Sequence, residues 1–298
     1  MTTFTPPPNW PQPPPGWAPP PGWQPDPSWP PAPPGWNFWP ARGRAWALDR
    51  AVAESPDQGW SIWLGILPVL ALIGVLVAEA VIGSFAHFHV STLVAWLLLP
   101  LTVAHYVAAI AVIIVLGHAV VQRSGGWGPA FGWRRPRWPD LPIGFSGAIA
   151  EFVARAAAGL ILVILIPALR NKAQSNVDLH DKSVAYIAVM LFLAVVVAPP
   201  VEELMFRGVL LRALMKRLPA VGRMGRFWPA ALVSSAIFGL LHLYEVHGWA
   251  AMVLLFTSIF VFGLGQCLLV RWTGRLATSI TAHALSNLGA ALLTLAVR

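Results

Sequence analysis

The stretch VVVAPPVEELMFRGVLLRALMKR, residues 195–217, decides how this chain is read. It begins as unbroken hydrocarbon, passes through Pro199-Pro200, and sets two adjacent carboxylates, Glu202 and Glu203, in apolar surroundings. Arg207 follows Glu203 by four residues. That spacing stacks the two on one helical face with the acid N-terminal, the favourable order for an ion pair. Glu202 points about 100° away from that face and has no cation at helical spacing. A lone carboxylate against hydrocarbon is costly, and a chain that keeps one usually uses it. The plain alternative is a helix surfacing from the membrane, where charges cost little.

Working outward, the 298 residues are 57% hydrophobic and 11% charged, against roughly 25% charged in soluble domains. Seven apolar runs approach or exceed the ~20 residues that cross ~30 Å of hydrocarbon. They cover 61–83, 92–121, 144–167, 184–206, 228–244, 249–270 and 276–296. The expected fold class is all-α, a polytopic transmembrane helical bundle of about seven spans. Pro100 is expected to tilt or kink the second span, and the fourth to continue as a helix through Arg217. Residues 1–58 read as a disordered cytoplasmic Pro/Trp-rich tail, 59–298 as the transmembrane domain, and about 184–296 as its functional core.

The tail holds 17 of the 29 prolines within residues 1–40, with Trp10, Trp17, Trp23, Trp29 and Trp36 recurring every six or seven positions. Proline removes backbone donors and favours polyproline II, so no hydrogen-bonded core is expected. It has no apolar h-region of a signal peptide. The segment suits a polyproline-binding partner or tryptophans resting on the membrane interface; a plain spacer is the alternative.

The net charge of +8 does not point to nucleic acid, because the basic residues sit in short blocks between apolar runs. Fourteen of them, from Arg42 to Arg275, fall in segments on one side, and four (Arg170, Lys172, Lys182, Arg298) on the other. The positive-inside rule then puts the N-terminus in the cytoplasm and the C-terminus outside, in a multi-pass protein of the cell membrane. Cys267, the lone cysteine, reads as an inert buried thiol.

Within the spans, three constellations share a four-residue helical spacing. They are Glu203 to Arg207 beside Glu202, Phe238 to His242 in AIFGLLHL, and His283 to Asn287 in TAHALSNLG. At ~1.5 Å per residue, Glu202 lies about 15 Å below Arg212, His283 about 12 Å below Arg275, and His242 about 21 Å below Trp228. The three therefore approach one another at mid-depth. A carboxylate, two imidazoles and a carboxamide in a semi-dry cavity make a set for hydrolysis. Glutamate can take a proton from water, an imidazole can carry it to a leaving amine, and a carboxamide with an imidazole can stabilise an oxyanion.

EELMFR, FGLLH and HALSN resemble the EExxxR, FxxxH and HxxxN motifs of the CAAX-protease and bacteriocin-processing family of membrane proteins, in the family's order and over about residues 195–290. The type II prenyl endopeptidases of that family are intramembrane glutamic proteases. The resemblance implies an intramembrane endopeptidase acting near the cytoplasmic side on a protein or peptide, which is lipidated in the case of the prenyl endopeptidases. It implies Glu202 as the water-activating group assisted by His242, with His283 and Asn287 stabilising the oxyanion. Glu203 and Arg207 would hold the site open, with Phe238 in support, and no cofactor or metal is implied. Two alternatives stand beside this reading. One is a zinc protease using His242, His283 and a glutamate; the other is a non-catalytic immunity or scaffold protein.

The remaining polar residues have plainer readings. Glu151 and Arg155 are spaced for an internal ion pair in the third span. His105 and His118 read as packing residues. His87 and His89 read as an outer surface loop, Glu79 as snorkelling to the interface, and Glu245 and His247 as solvated.

Overall fold

The computed structural model describes residues 4–14, 17, 19–20, 22–33, 36, 38, 46–85, 92–174, 184–219 and 225–296, without the side chains of 76, 78–99 and 101–102. His87, His89 and the side chain of Glu79 lie outside the described residues. So do Arg42, Arg44, Lys182, Arg223 and Arg298 of the charge tally. The chain divides into two compact units, Met1–Ala45 and Trp46–Arg298.

The described residues of the first unit form neither helix nor strand. Each repeat tryptophan closes a turn instead, its N–H donating to the carbonyl three residues back, as Trp10 does to Pro7 and Trp36 to Pro33. A proline cannot donate, so the tryptophan N–H is the group left to close each turn.

The second unit is helical, and no strand occurs among its described residues. It begins with α1 (Ala47–Glu54), whose Leu48 and Val52, one turn apart, are buried. Asp49 of α1 pairs with Arg271 at 2.9 Å. These residues fall inside the range expected as tail, yet they pack on the helical body. The long helices follow: α2 (Ile62–Phe85), α3 (Thr92–Arg123), a short α4 (Trp127–Phe131), α5 (Asp140–Leu165) and α6 (Val184–Arg217), then α7 (Phe227–Leu240), α8 (Trp249–Thr273) and α9 (Leu276–Ala296).

Six helices among the described residues are long and apolar enough to cross a membrane. The apolar α2, 24 residues long, adds a seventh of sufficient length. Large apolar side chains such as Phe145, Phe152, Ile161 and Ile164 stand exposed along α5, which is the surface a bilayer covers. The protein is a multi-pass membrane protein.

Helix α6 runs through Arg217, as its sequence implies, and it is the centre of the unit. Every residue from Leu204 to Met215 is buried, and a helix buried all round must be packed on every side. It touches α2, α3, α4, α7 and α9. Small residues allow the tightest approaches in the bundle. A Cβ on Gly144 of α5 would come 2.6 Å from the Thr281 side chain and 2.8 Å from the Thr278 carbonyl of α9.

Two wide turns, Leu193–Val197 and Leu204–Leu210, interrupt the regular winding of α6. The first has a covalent cause. Ala198 donates five residues back to Leu193 instead of to Ala194. The next residue that could reach Ala194 is Pro199, which carries no N–H. The Ala194 carbonyl is therefore left without a helical donor. Wide turns of this kind are frequent at functional sites.

The structure departs from the sequence expectations at Arg212 and at the pair Glu151 and Arg155. Arg212 is not a loop charge: it is 1% exposed within α6, because the helix stays in the protein interior for another turn. Glu151 and Arg155 do not form the expected internal pair. Glu151 Oε2 instead accepts from Gln266 Nε2 at 3.1 Å, and Arg155 Nε donates to Ser258 Oγ at 2.8 Å. Both partners lie on α8, which α5 packs against, and tertiary contact overrides the helical spacing.

Candidate active site

The first layer of the site is an ion pair. Glu203 and Arg207 are both 0% exposed, with Arg207 Nη1 donating to Glu203 Oε1 at 3.0 Å. Arg207 Nη2 reaches the Gly263 carbonyl of α8 at 3.3 Å. The guanidinium lies 4.6 Å from the centre of the Phe238 ring, an attractive arrangement of cation on π face. Two charges taken out of water in this way are tolerable only as a pair with further hydrogen bonds.

His283 of α9 builds on that pair. Its Nδ1 is 3.0 Å from Glu203 Oε1. A carboxylate held by arginine can only accept, so Nδ1 donates. This fixes the ring and leaves Nε2 as its free nitrogen. Nε2 lies 3.7 Å from Glu202 Oε2. Phe238 and Phe262 hold the imidazole edge-on, with ring centres 6.1 and 4.9 Å away.

Glu202 is the opposite of its neighbour. It has no cation, its side chain is 15% exposed, and it lines a cavity of about 470 Å³. Its second oxygen is held from α3, where the Tyr106 hydroxyl donates to Oε1 at 2.9 Å. The two glutamates, adjacent in sequence, thus share only His283 and otherwise differ in partners, because consecutive helical residues point apart.

His242 stands just past the end of α7. Its Nδ1 is 2.8 Å from the Phe238 carbonyl, which can only accept, so Nε2 carries the lone pair. The Phe238 ring stacks edge-on at 4.7 Å. Asn287, one turn after His283 on α9, donates Nδ2 to the Ala194 carbonyl at 2.7 Å. That is the acceptor the first wide turn of α6 leaves bare.

Glu202, His242, His283 and Asn287, the residues singled out from sequence, all line this one cavity together with Phe238, while Glu203 and Arg207 are sealed behind it. Sequence reasoning missed Tyr106, which comes from a span outside the three motifs. The available signal was a tyrosine midway along an apolar run, in a chain with three tyrosines. His105 also lines the cavity, as does Glu245, which had been read as solvated. His118 is exposed and apart from it. Among the described residues, no three His, Cys, Asp or Glu side chains are grouped so as to hold a metal ion.

Chemically, the arrangement offers one open carboxylate, two imidazoles with defined donor nitrogens and a carboxamide around a space large enough for a peptide segment. Residues 184–289 match the family model described as type II CAAX prenyl endopeptidase Rce1-like. The family resemblance carried by EELMFR, FGLLH and HALSN is thereby borne out, and the matched segment is similar to a membrane protease. No curated protein and no solved structure matches the chain.

Proposed function

We propose, with the match of residues 184–289 to membrane endopeptidases as premise, that this chain is an intramembrane glutamic endopeptidase. One observation carries the reading. Glu202 faces the cavity with no arginine or lysine paired to it, while Glu203 beside it is buried and paired with Arg207. A water between Glu202 Oε2 and His283 Nε2, acceptors 3.7 Å apart, can donate to both.

As that water attacks a substrate carbonyl, Glu202 takes its proton, and Tyr106 steadies the carboxylate in position. The developing oxyanion is met by the second N–H of Asn287. His242 accepts at its bare Nε2 the proton that Glu202 took from water and passes it to the leaving amine as the carbon–nitrogen bond breaks. No covalent intermediate is formed. The substrate is a protein or peptide that enters from the bilayer, lipidated or not. The basic segments support a cell-membrane protein with its N-terminus and its site toward the cytoplasm, and the Pro/Trp-rich unit suits a polyproline-binding partner.

The test is proteolysis by purified protein in detergent, wild type beside Glu202→Gln, on farnesylated CAAX peptides and unmodified membrane-segment peptides, with and without chelator. Cleavage that survives the chelator and disappears in the variant supports the reading. Cleavage abolished by chelator would move it to a metalloprotease. A cellular phenotype untouched by both Glu202→Gln and His283→Ala would instead mean a non-catalytic role.

A further inference from the structure

Arg155 sits in the middle of α5, inside a membrane span, yet it forms no ion pair with Glu151 one turn before it. Ser258 and Phe262, one turn apart on α8, hold it instead. Ser258 Oγ accepts from Nε at 2.8 Å, and the Phe262 ring lies 5.6 Å from the guanidinium carbon. One edge and one face of the guanidinium are thereby occupied. The Nη donors make no hydrogen bond among the described residues, and Arg155 lines the cavity that holds Glu202. It is the one lysine or arginine among the residues described as lining that cavity.

A charge at this depth is expensive unless it meets a counter-charge. No acid nearby is in ion-pair contact with it. Glu151 acts on it only through space, its Oε2 accepting from Gln266, and Glu203 is paired with Arg207 and His283. Glu202 accepts from Tyr106, and Glu245 shares the cavity wall without pairing with Arg155. An open pair of Nη groups presents a planar fork, the geometry that takes a carboxylate through two parallel hydrogen bonds.

We propose that Arg155 is the binding point for a carboxylate of the peptide substrate. This rests on the endopeptidase reading above and deepens it. Phe262 separates the guanidinium from His283, whose ring centre lies 4.9 Å from that of Phe262. A carboxylate held by Arg155 therefore stands only a few residues of extended chain, at ~3.3 Å each, from a bond presented to Glu202 and His283. Either the C-terminal carboxylate or an acidic side chain near the cleaved bond has the required chemistry.

The experiment uses the full chain in detergent and three N-terminally labelled peptides of one membrane-segment sequence. One ends in a free carboxylate and one in a carboxamide; the third is amidated with aspartate in its last position. Binding is measured by fluorescence anisotropy on the Glu202→Gln protein, and cleavage on the otherwise wild-type protein. The expected result is a preference on the order of tenfold or more for a carboxylated peptide over the neutral one. Preference for the first peptide identifies the terminus as the source, and preference for the third identifies a side chain. Arg155→Met is expected to reduce both to the level of the neutral peptide, and Arg155→Lys to restore part of the difference.

Equal binding of all three by the Arg155 protein overturns the proposal whether or not Arg155→Met folds, as does a preference that survives Arg155→Met. Cleavage without any preference removes the carboxylate site alone. A preference in binding with no cleavage by wild type removes the endopeptidase reading and leaves the site.

Discussion

Asn287 donates its side-chain amide to the backbone carbonyl of Ala194, 2.7 Å away, and so ties α9 to the first wide turn of α6. The contact gives Asn287 a structural duty besides any catalytic one. Asn287→Ala strands a carbonyl and is expected to lower stability by about 1–3 kcal/mol. Asn287→Asp sets an acceptor against that carbonyl and should be worse. Thermal unfolding in detergent checks the order; equal midpoints for all three proteins would show that the bond contributes nothing.

Arg207 compensates a carboxylate with no access to water. Arg207→Met leaves Glu203 buried without its guanidinium, held by His283, at an expected cost of about 3–5 kcal/mol. Adding Glu203→Gln removes the stranded charge, so the double variant should melt higher than Arg207→Met alone. A double-mutant cycle on melting temperatures reads this directly, and simple additivity would contradict it.

Tyr106 holds one oxygen of Glu202. Tyr106→Phe keeps the ring and deletes the hydroxyl. A hydrogen bond to a charged group contributes ~1.5–3 kcal/mol, so the melting temperature should drop, and with the carboxylate no longer held kcat/KM should fall roughly 10–100-fold. Unaltered kinetics on a cleaved peptide would remove Tyr106 from the site.

Gly144 permits the contact between α5 and α9. A methyl there meets the Thr278 carbonyl at 2.8 Å, and backbone cannot turn aside as a side chain can. Gly144→Ala should therefore destabilise by about 1–3 kcal/mol through overpacking. The same substitution at Gly159, where a Cβ meets nothing within 4 Å, should be tolerated. Comparing the two by yield and melting temperature separates packing from a general effect of glycine.

Much of this architecture could be read from the chain because hydrocarbon crossing is a local property. The seven apolar runs coincide with α2, α3 and α5 to α9 to within a few residues at most ends, and spacing alone paired Glu203 with Arg207 and Phe238 with His242. What escaped is what depends on neighbours. Tyr106 reaches Glu202 across 96 positions of sequence, and no periodicity within α3 shows that. Glu151 and Arg155 obey the spacing of an ion pair, yet α8 offers Gln266 and Ser258 at closer range. Arg212 looked like a surface charge because the interior does not end where the apolar run thins. Asn287 read as a group for the substrate, while its first obligation is to a carbonyl whose need arises from a proline five residues later.

That last dependence reaches further than the site. Pro199 is usually seen as a residue that disrupts, but here its effect is adhesive. An alanine in its place would supply the absent hydrogen and let α6 satisfy Ala194 from within. Asn287 would then compete for an acceptor already served, and the last helix would lose one of its ties to the helix that bears both glutamates, that of His283 to Glu203 remaining. Two segments almost a hundred residues apart are joined through an atom that one of them lacks.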